Sequence, residues 1–107
     1  MLTKESKTVL YHLYKEYRFR RKNGQSRSAS KSFGSSERVQ ASFFPDWTIS
    51  DVDDCMRELK RNGFLHTMIA SNLVYESELT DDAIAIMDNQ KKDTFVNITN
   101  FLLKFIP

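Results

Sequence analysis

Apolar residues recur at three- and four-residue spacing from the start of the chain. Val9, Leu10, Leu13, Tyr14 and Tyr17 fall on one stripe and predict a helix over 3–22. Thr3 is placed to cap it, and Glu5 lies in the first turn, where an acid favours the dipole. Asn23-Gly24 supplies the stop, since both tolerate a left-handed backbone. Residues 23–36, NGQSRSASKSFGSS, are Ser-rich and basic without a carboxylate, which predicts a flexible loop. A second helix is expected from Glu37 to Phe44, capped by Ser35 or Ser36, with Val39 and Phe43 inward. Pro45 ends it, because the residue before a proline is pushed out of helical geometry.

A third helix is predicted from Asp51 to Asn62 with Ser50 as cap, Val52, Cys55, Met56 and Leu59 on its buried face, and Gly63 at its end. Phe64–Ile69 and Leu73–Ser77 then read as two strands of a hairpin around Ala70-Ser71-Asn72, rich in β-branched and aromatic side chains. Thr80 caps a fourth helix with Asp81 and Asp82 in its first turn and Ala83, Ile84 and Met87 buried. A terminal helix is expected over 94–106. The order of three helices, hairpin and helix predicts a mostly α (α+β) fold. More narrowly, it predicts one winged helix-turn-helix domain over 1–107, with a short two-stranded wing and an extra apolar C-terminal helix.

The run from Thr48 to Leu65, TISDVDDCMRELKRNGFL, resembles the third helix and strand entry of many winged-helix proteins. Leu79-Thr80-Asp81-Asp82-Ala83 is similar to the Leu-Thr-x-x-Gly stretch that opens the helix after the wing, with Ala83 in place of the glycine. Over roughly 40–107 the chain resembles small YjcQ-like winged-helix proteins of bacteria and their prophages. That resemblance implies a fold but supplies no biochemical role, and fold alone does not supply one either.

Charge changes this picture. Residues 1–50 carry ten Lys/Arg against four Asp/Glu, whereas residues 51–107 carry six against ten. Such a split makes either a basic surface for polyanions or two complementary surfaces within one fold. Arg18, Arg20, Arg21, Lys22, Arg27 and Lys31 cluster without a carboxylate among them. Phosphate contacts need such cations; a solvated helix end followed by a loop also explains them. On the third helix, Arg57, Lys60 and Arg61 are the candidates to reach base edges or phosphates of double-stranded DNA. Against this, Asp51, Asp53 and Asp54 occupy the end that would enter the major groove, and Asp53–Arg57 and Glu58–Arg61 read as surface pairs. The wing tip carries no cation.

The terminal helix holds more apolar residues than one packed stripe needs. Phe95, Ile98, Phe101, Leu102 and Phe105 are expected to hold a homodimer together, or else to pack deeply within one subunit. No run is long enough to cross a bilayer. The N-terminus lacks a secretory pattern, and the lone Cys55 suits a reducing compartment, so a cytoplasmic location without membrane attachment is expected. His12 reads as a surface or edge residue and Cys55 as core filler. With no paired Cys or His spacing, no Gly-rich phosphate loop and no nucleophile motif, neither a metal, a cofactor nor catalysis is expected. The leading expectation is a homodimeric winged-helix DNA-binding regulator. The rival is a winged-helix module that meets a basic protein partner through its acidic third helix, as an antirepressor or adaptor.

Overall fold

The computed structural model describes residues 2–90. The expected terminal helix, with Phe95, Ile98, Phe101, Leu102 and Phe105, lies outside the described residues. The chain is α+β: helices α1 (Lys4–Lys22), α2 (Arg27–Ser30), α3 (Ser36–Phe43) and α4 (Ile49–Arg61), strands β1 (Leu65–Ala70) and β2 (Leu73–Leu79), then α5 (Asp81–Asp88). The predicted stripe of α1 is buried from Val9 to Tyr17, and the Thr3 hydroxyl accepts the Ser6 N–H at 3.2 Å. That stripe packs with Val39, Val52, Met56, Leu59 and Leu79 in one core. At the far side, the Tyr14 hydroxyl donates to Asp88 and ties α1 to α5.

Helix starts differ from the expectation by one or two residues. The cap of α3 is Ser35, and the helix begins at Ser36 rather than Glu37. The cap of α4 is Thr48, not Ser50, and its side chain accepts the Asp51 N–H at 3.0 Å. The reason is upstream. The Trp47 N–H is held by the Phe44 carbonyl at 3.0 Å, so the chain leaves that turn extended at Thr48 and is already helical at Ser50.

Residues 23–36 are not a plain loop. Ser26 caps the short α2, Ser30 is fully buried, and Phe33 is only 3% exposed. The segment then runs beside β2: Ser32 bridges Glu78, the Phe33 N–H donates to Ser77 O at 3.0 Å, and Lys31 O accepts the Leu79 N–H at 2.9 Å. One aromatic among serines has no periodicity to read, which is why the composition points to a flexible loop.

The hairpin turns on two residues rather than three. Ser71 and Asn72 both have left-handed φ values (54° and 65°), the geometry that matches the twist of paired strands. Antiparallel pairing runs from Leu65↔Leu79 to Ala70↔Leu73, with a slip between Met68 and Ile69 that leaves Tyr75 as an extra residue on β2. Alternation alone cannot turn both Val74 and Ser77 to the core; the bulge resets the phase, and both are buried. The pairing beside Ser32 carries β2 on to Leu79, past the expected end at Ser77. Helix α5 matches its expectation, with Thr80 accepting the Ala83 N–H at 3.0 Å.

If the Ser-rich segment is anchored as described, Phe33→Ala should destabilise the protein by about 3–5 kcal/mol. Urea unfolding checks this, and a cost within about 0.5 kcal/mol would mean the segment is unanchored.

Candidate functional site

Helix α4 has a clear inside and outside. Val52, Cys55, Met56 and Leu59 are buried as expected, and burial pushes the Cys55 thiol up to about 11, so it is unreactive core. Asp53, read from the sequence as half of a surface pair with Arg57, is only 4% exposed. Its Oδ1 accepts the Val74 N–H at 2.8 Å, and its Oδ2 accepts from Arg57 Nε at 2.7 Å. Arg57 also donates through Nη2 to the Asn72 carbonyl at 2.6 Å. Residues at 100° per step then leave Ser50, Asp54, Arg57 and Arg61 as the outward stripe. The turn end of the hairpin stands beside that stripe, joined to it through Arg57. Glu58, read from the sequence as a surface partner of Arg61, turns to the start of α1, where it accepts from the Thr3 N–H and hydroxyl at 3.2 and 2.8 Å.

The cations of the first half are distributed differently. Arg20 pairs with Glu16 at 3.3 Å, donates to Ser32 O at 2.8 Å and lies over the Phe33 ring at 4.7 Å. Arg27 and Lys31 converge on Asp81 at 3.2 and 3.3 Å, and Lys31 also approaches Glu78 at 4.0 Å. Lys60 lines a surface cleft with His66, Asp81 and Asp82. Thus Arg27, Lys31 and Lys60 surround the acidic start of α5 at the base of the hairpin. Arg57 is at its turn end, some six residues and about 20 Å away at ~3.3 Å per residue. Arg18, Arg21, Lys22 and Arg61 are exposed; Arg18 lies 6.0 Å from the Tyr14 ring and Arg21 donates to Gln25 O at 3.0 Å. The contacts therefore bring together the cations around α5, but do not join them to Arg57 and Arg61.

The hairpin surface is apolar and acidic. Met68, Ile69 and Tyr75 are 57%, 42% and 42% exposed. His66 and Met68 lie opposite Glu78 and Glu76 on one face of the sheet. Phe19, at 62%, is a separate exposed aromatic near the end of α1. His12, expected at the surface or an edge, is partly buried against Phe44, with ring centroids 4.8 Å apart, and burial lowers its pKa.

The chain matches no family model, no curated protein and no solved structure.

Among the described residues, no three metal-ligating side chains gather, and no helix is long and apolar enough to cross a membrane. The residue missed in the sequence is Asp53. Its i,i+4 partner Arg57 was visible, but its burial was not, because the Val74 N–H that satisfies it lies on another element. The exposed trio on the hairpin could have been anticipated from Met68-Ile69, since a strand packed on one face buries only alternate residues.

Burial alone would raise the Asp53 pKa; the Val74 N–H, the Arg57 guanidinium and the Ser36 hydroxyl outweigh it and hold the carboxyl below 3.8. Because the folded value is depressed, this contribution is present above the unfolded value and is lost as pH falls below 3.8 through the folded one. Asp53→Ala should therefore cost about 2–4 kcal/mol near pH 7, from the lost charged hydrogen bonds and the stranded Val74 N–H. Thermal melts of both proteins at descending pH should show that gap narrowing in acid; a gap independent of pH would contradict the assignment.

Proposed function

We propose that the chain is a winged-helix module that binds a protein partner, as an antirepressor or adaptor does, through the outward stripe of α4 and the adjoining end of the hairpin. The element order supports the winged-helix reading: α3 and α4 stand as the helix-turn-helix pair, β1 and β2 as the wing, and Ser32 as a further rung beside β2. Kinship with the YjcQ-like proteins belongs to the same proposal and rests on the sequence resemblance over 40–107 alone.

The observation that carries the choice of partner is the wing itself. From Leu65 to Leu79 it has Glu76 and Glu78 but no Lys or Arg, and its exposed side chains include Met68, Ile69 and Tyr75. Duplex phosphates repel such a surface, while an apolar patch beside acids suits a protein with a basic rim. The chain carries sixteen Lys/Arg and fourteen Asp/Glu, a net charge of only +2, so the overall field that steers a polyanion to it is weak. Asp54 on the outward stripe adds to the acidic character, and Arg57 is engaged with Asp53 and the Asn72 carbonyl.

Double-stranded DNA is the second reading. It is favoured by Arg18, Arg21 and Lys22, which are exposed at the end of α1 and form no ion pair among the described residues. Anisotropy with labelled duplex DNA at about 50 and 200 mM salt separates the two readings. The expected result is no salt-sensitive binding and no change in the triple variant with Ala at Arg18, Arg21 and Lys22. Salt-sensitive retention that this variant abolishes would replace the partner reading with the DNA reading. In parallel, Asp54→Arg with Arg61→Glu should leave stability within about 0.5 kcal/mol, since both residues are exposed. That pair should abolish capture of whatever protein the natural chain retains; undiminished capture would contradict the proposed face.

A further inference from the structure

We infer that β1 is a self-association edge, pairing antiparallel with β1 of a second copy of this chain to extend the sheet across a two-fold axis. The two edges of the hairpin differ. On the β2 side, the Ser32 segment occupies the backbone through Phe33 N–H to Ser77 O and Leu79 N–H to Lys31 O. On the β1 side, no further strand pairs among the described residues. Proteins blunt such an edge with Lys, Glu, Pro or a bulge placed on the edge strand itself. β1, LHTMIA, has no charged residue and no proline, and the extra residue of the bulge lies on β2. His66, Met68, Ile69 and Ala70 are all exposed along it.

The chemistry of that row selects the occupant. The side chains of β1 itself are uncharged, with Lys60, Asp81 and Asp82 confined to the cleft at its base, so the edge favours an uncharged strand, and β1 of another copy is one. An antiparallel edge is also complementary to itself, each N–H meeting a carbonyl across the axis. The acids do not oppose it. Glu76 and Glu78 lie on β2, so two copies would hold them three strand spacings apart, about 14 Å. That exceeds the Debye length of ~8 Å at physiological salt. Six residues per edge make a small interface compared with the ~1,200–2,000 Å² of stable complexes, so the dimer is weak and concentration-dependent. This inference shares Met68 and Ile69 with the partner reading but rests on the unpaired backbone of β1, and it differs from the sequence expectation, which gave dimerisation to Phe95, Ile98, Phe101, Leu102 and Phe105.

Light scattering on the full chain from about 10 μM to about 1 mM tests it. The mass should rise with concentration from 12.5 kDa towards twice that value. Met68→Lys with Ile69→Lys should hold it at the monomer value at every concentration, with an unchanged circular dichroism spectrum. Phe101→Glu with Leu102→Glu should leave the rise intact. A natural chain that stays monomeric throughout overturns the inference, as does a rise that survives the lysine pair or vanishes with the glutamate pair. Should the lysine pair unfold the hairpin, amide exchange in the natural chain decides. Exchange along β1 should slow as concentration rises, and rates independent of concentration would overturn the inference.

Discussion

Asp53 sits on the packed side of α4, and the placement of the hairpin depends on how its charge is satisfied. A carboxylate removed from water is costly unless it is hydrogen-bonded and paired. Here one oxygen takes the Val74 N–H and the other takes the Arg57 guanidinium, which in turn holds the Asn72 carbonyl at the turn. Four residues on α4 and the hairpin thus form one closed network. The bulge at Tyr75 falls beside it, and the two features act together: the bulge turns Val74 inward, and Asp53 meets the amide that turning brings to α4. Arg57 bridges α4 and the turn, so those two surfaces belong to a single face.

The base of the hairpin is held by different means. Thr80 donates to the Gly63 carbonyl at 2.7 Å while capping α5, and its own N–H reaches Phe64 O at 3.1 Å. The Ser32–Phe33 segment closes the opposite edge of β2. With both ends of the hairpin anchored, exposed ion pairs such as Arg27–Asp81 contribute little stability, about 0–1 kcal/mol each. Their significance is in the distribution of charge. Arg27 and Lys31 from the first half of the chain meet Asp81 and Glu78 from the second, while Arg18, Arg21 and Lys22 stay exposed.

Elements whose signals are local could be read directly from the sequence. The stripe of α1, the buried face of α4 and the Thr80-Asp81-Asp82 start of α5 follow from spacing and capping, and all three are present as expected. What could not be read depends on residues distant in sequence. Phe33 is a core residue only because β2 lies beside it, and Asp53 is buried only because Val74 offers an N–H. The bulge could not be read either, since it appears in the register between two strands and not in either one alone. For the candidate site, Arg57 and Arg61, picked from the sequence as candidates for contact, fall on the outward stripe, whereas Arg20, Arg27 and Lys31 lie about Phe33 and Asp81.

The Asp53 carboxylate fixes the hairpin to α4. Native-state hydrogen exchange at the Val74 amide measures that directly, because this N–H lies two residues from the turn, where a hairpin ordinarily frays. Exchange at Val74 as slow as at the core amides of α4 is the predicted result. Exchange as fast as at the turn residues Ser71 and Asn72 would contradict it.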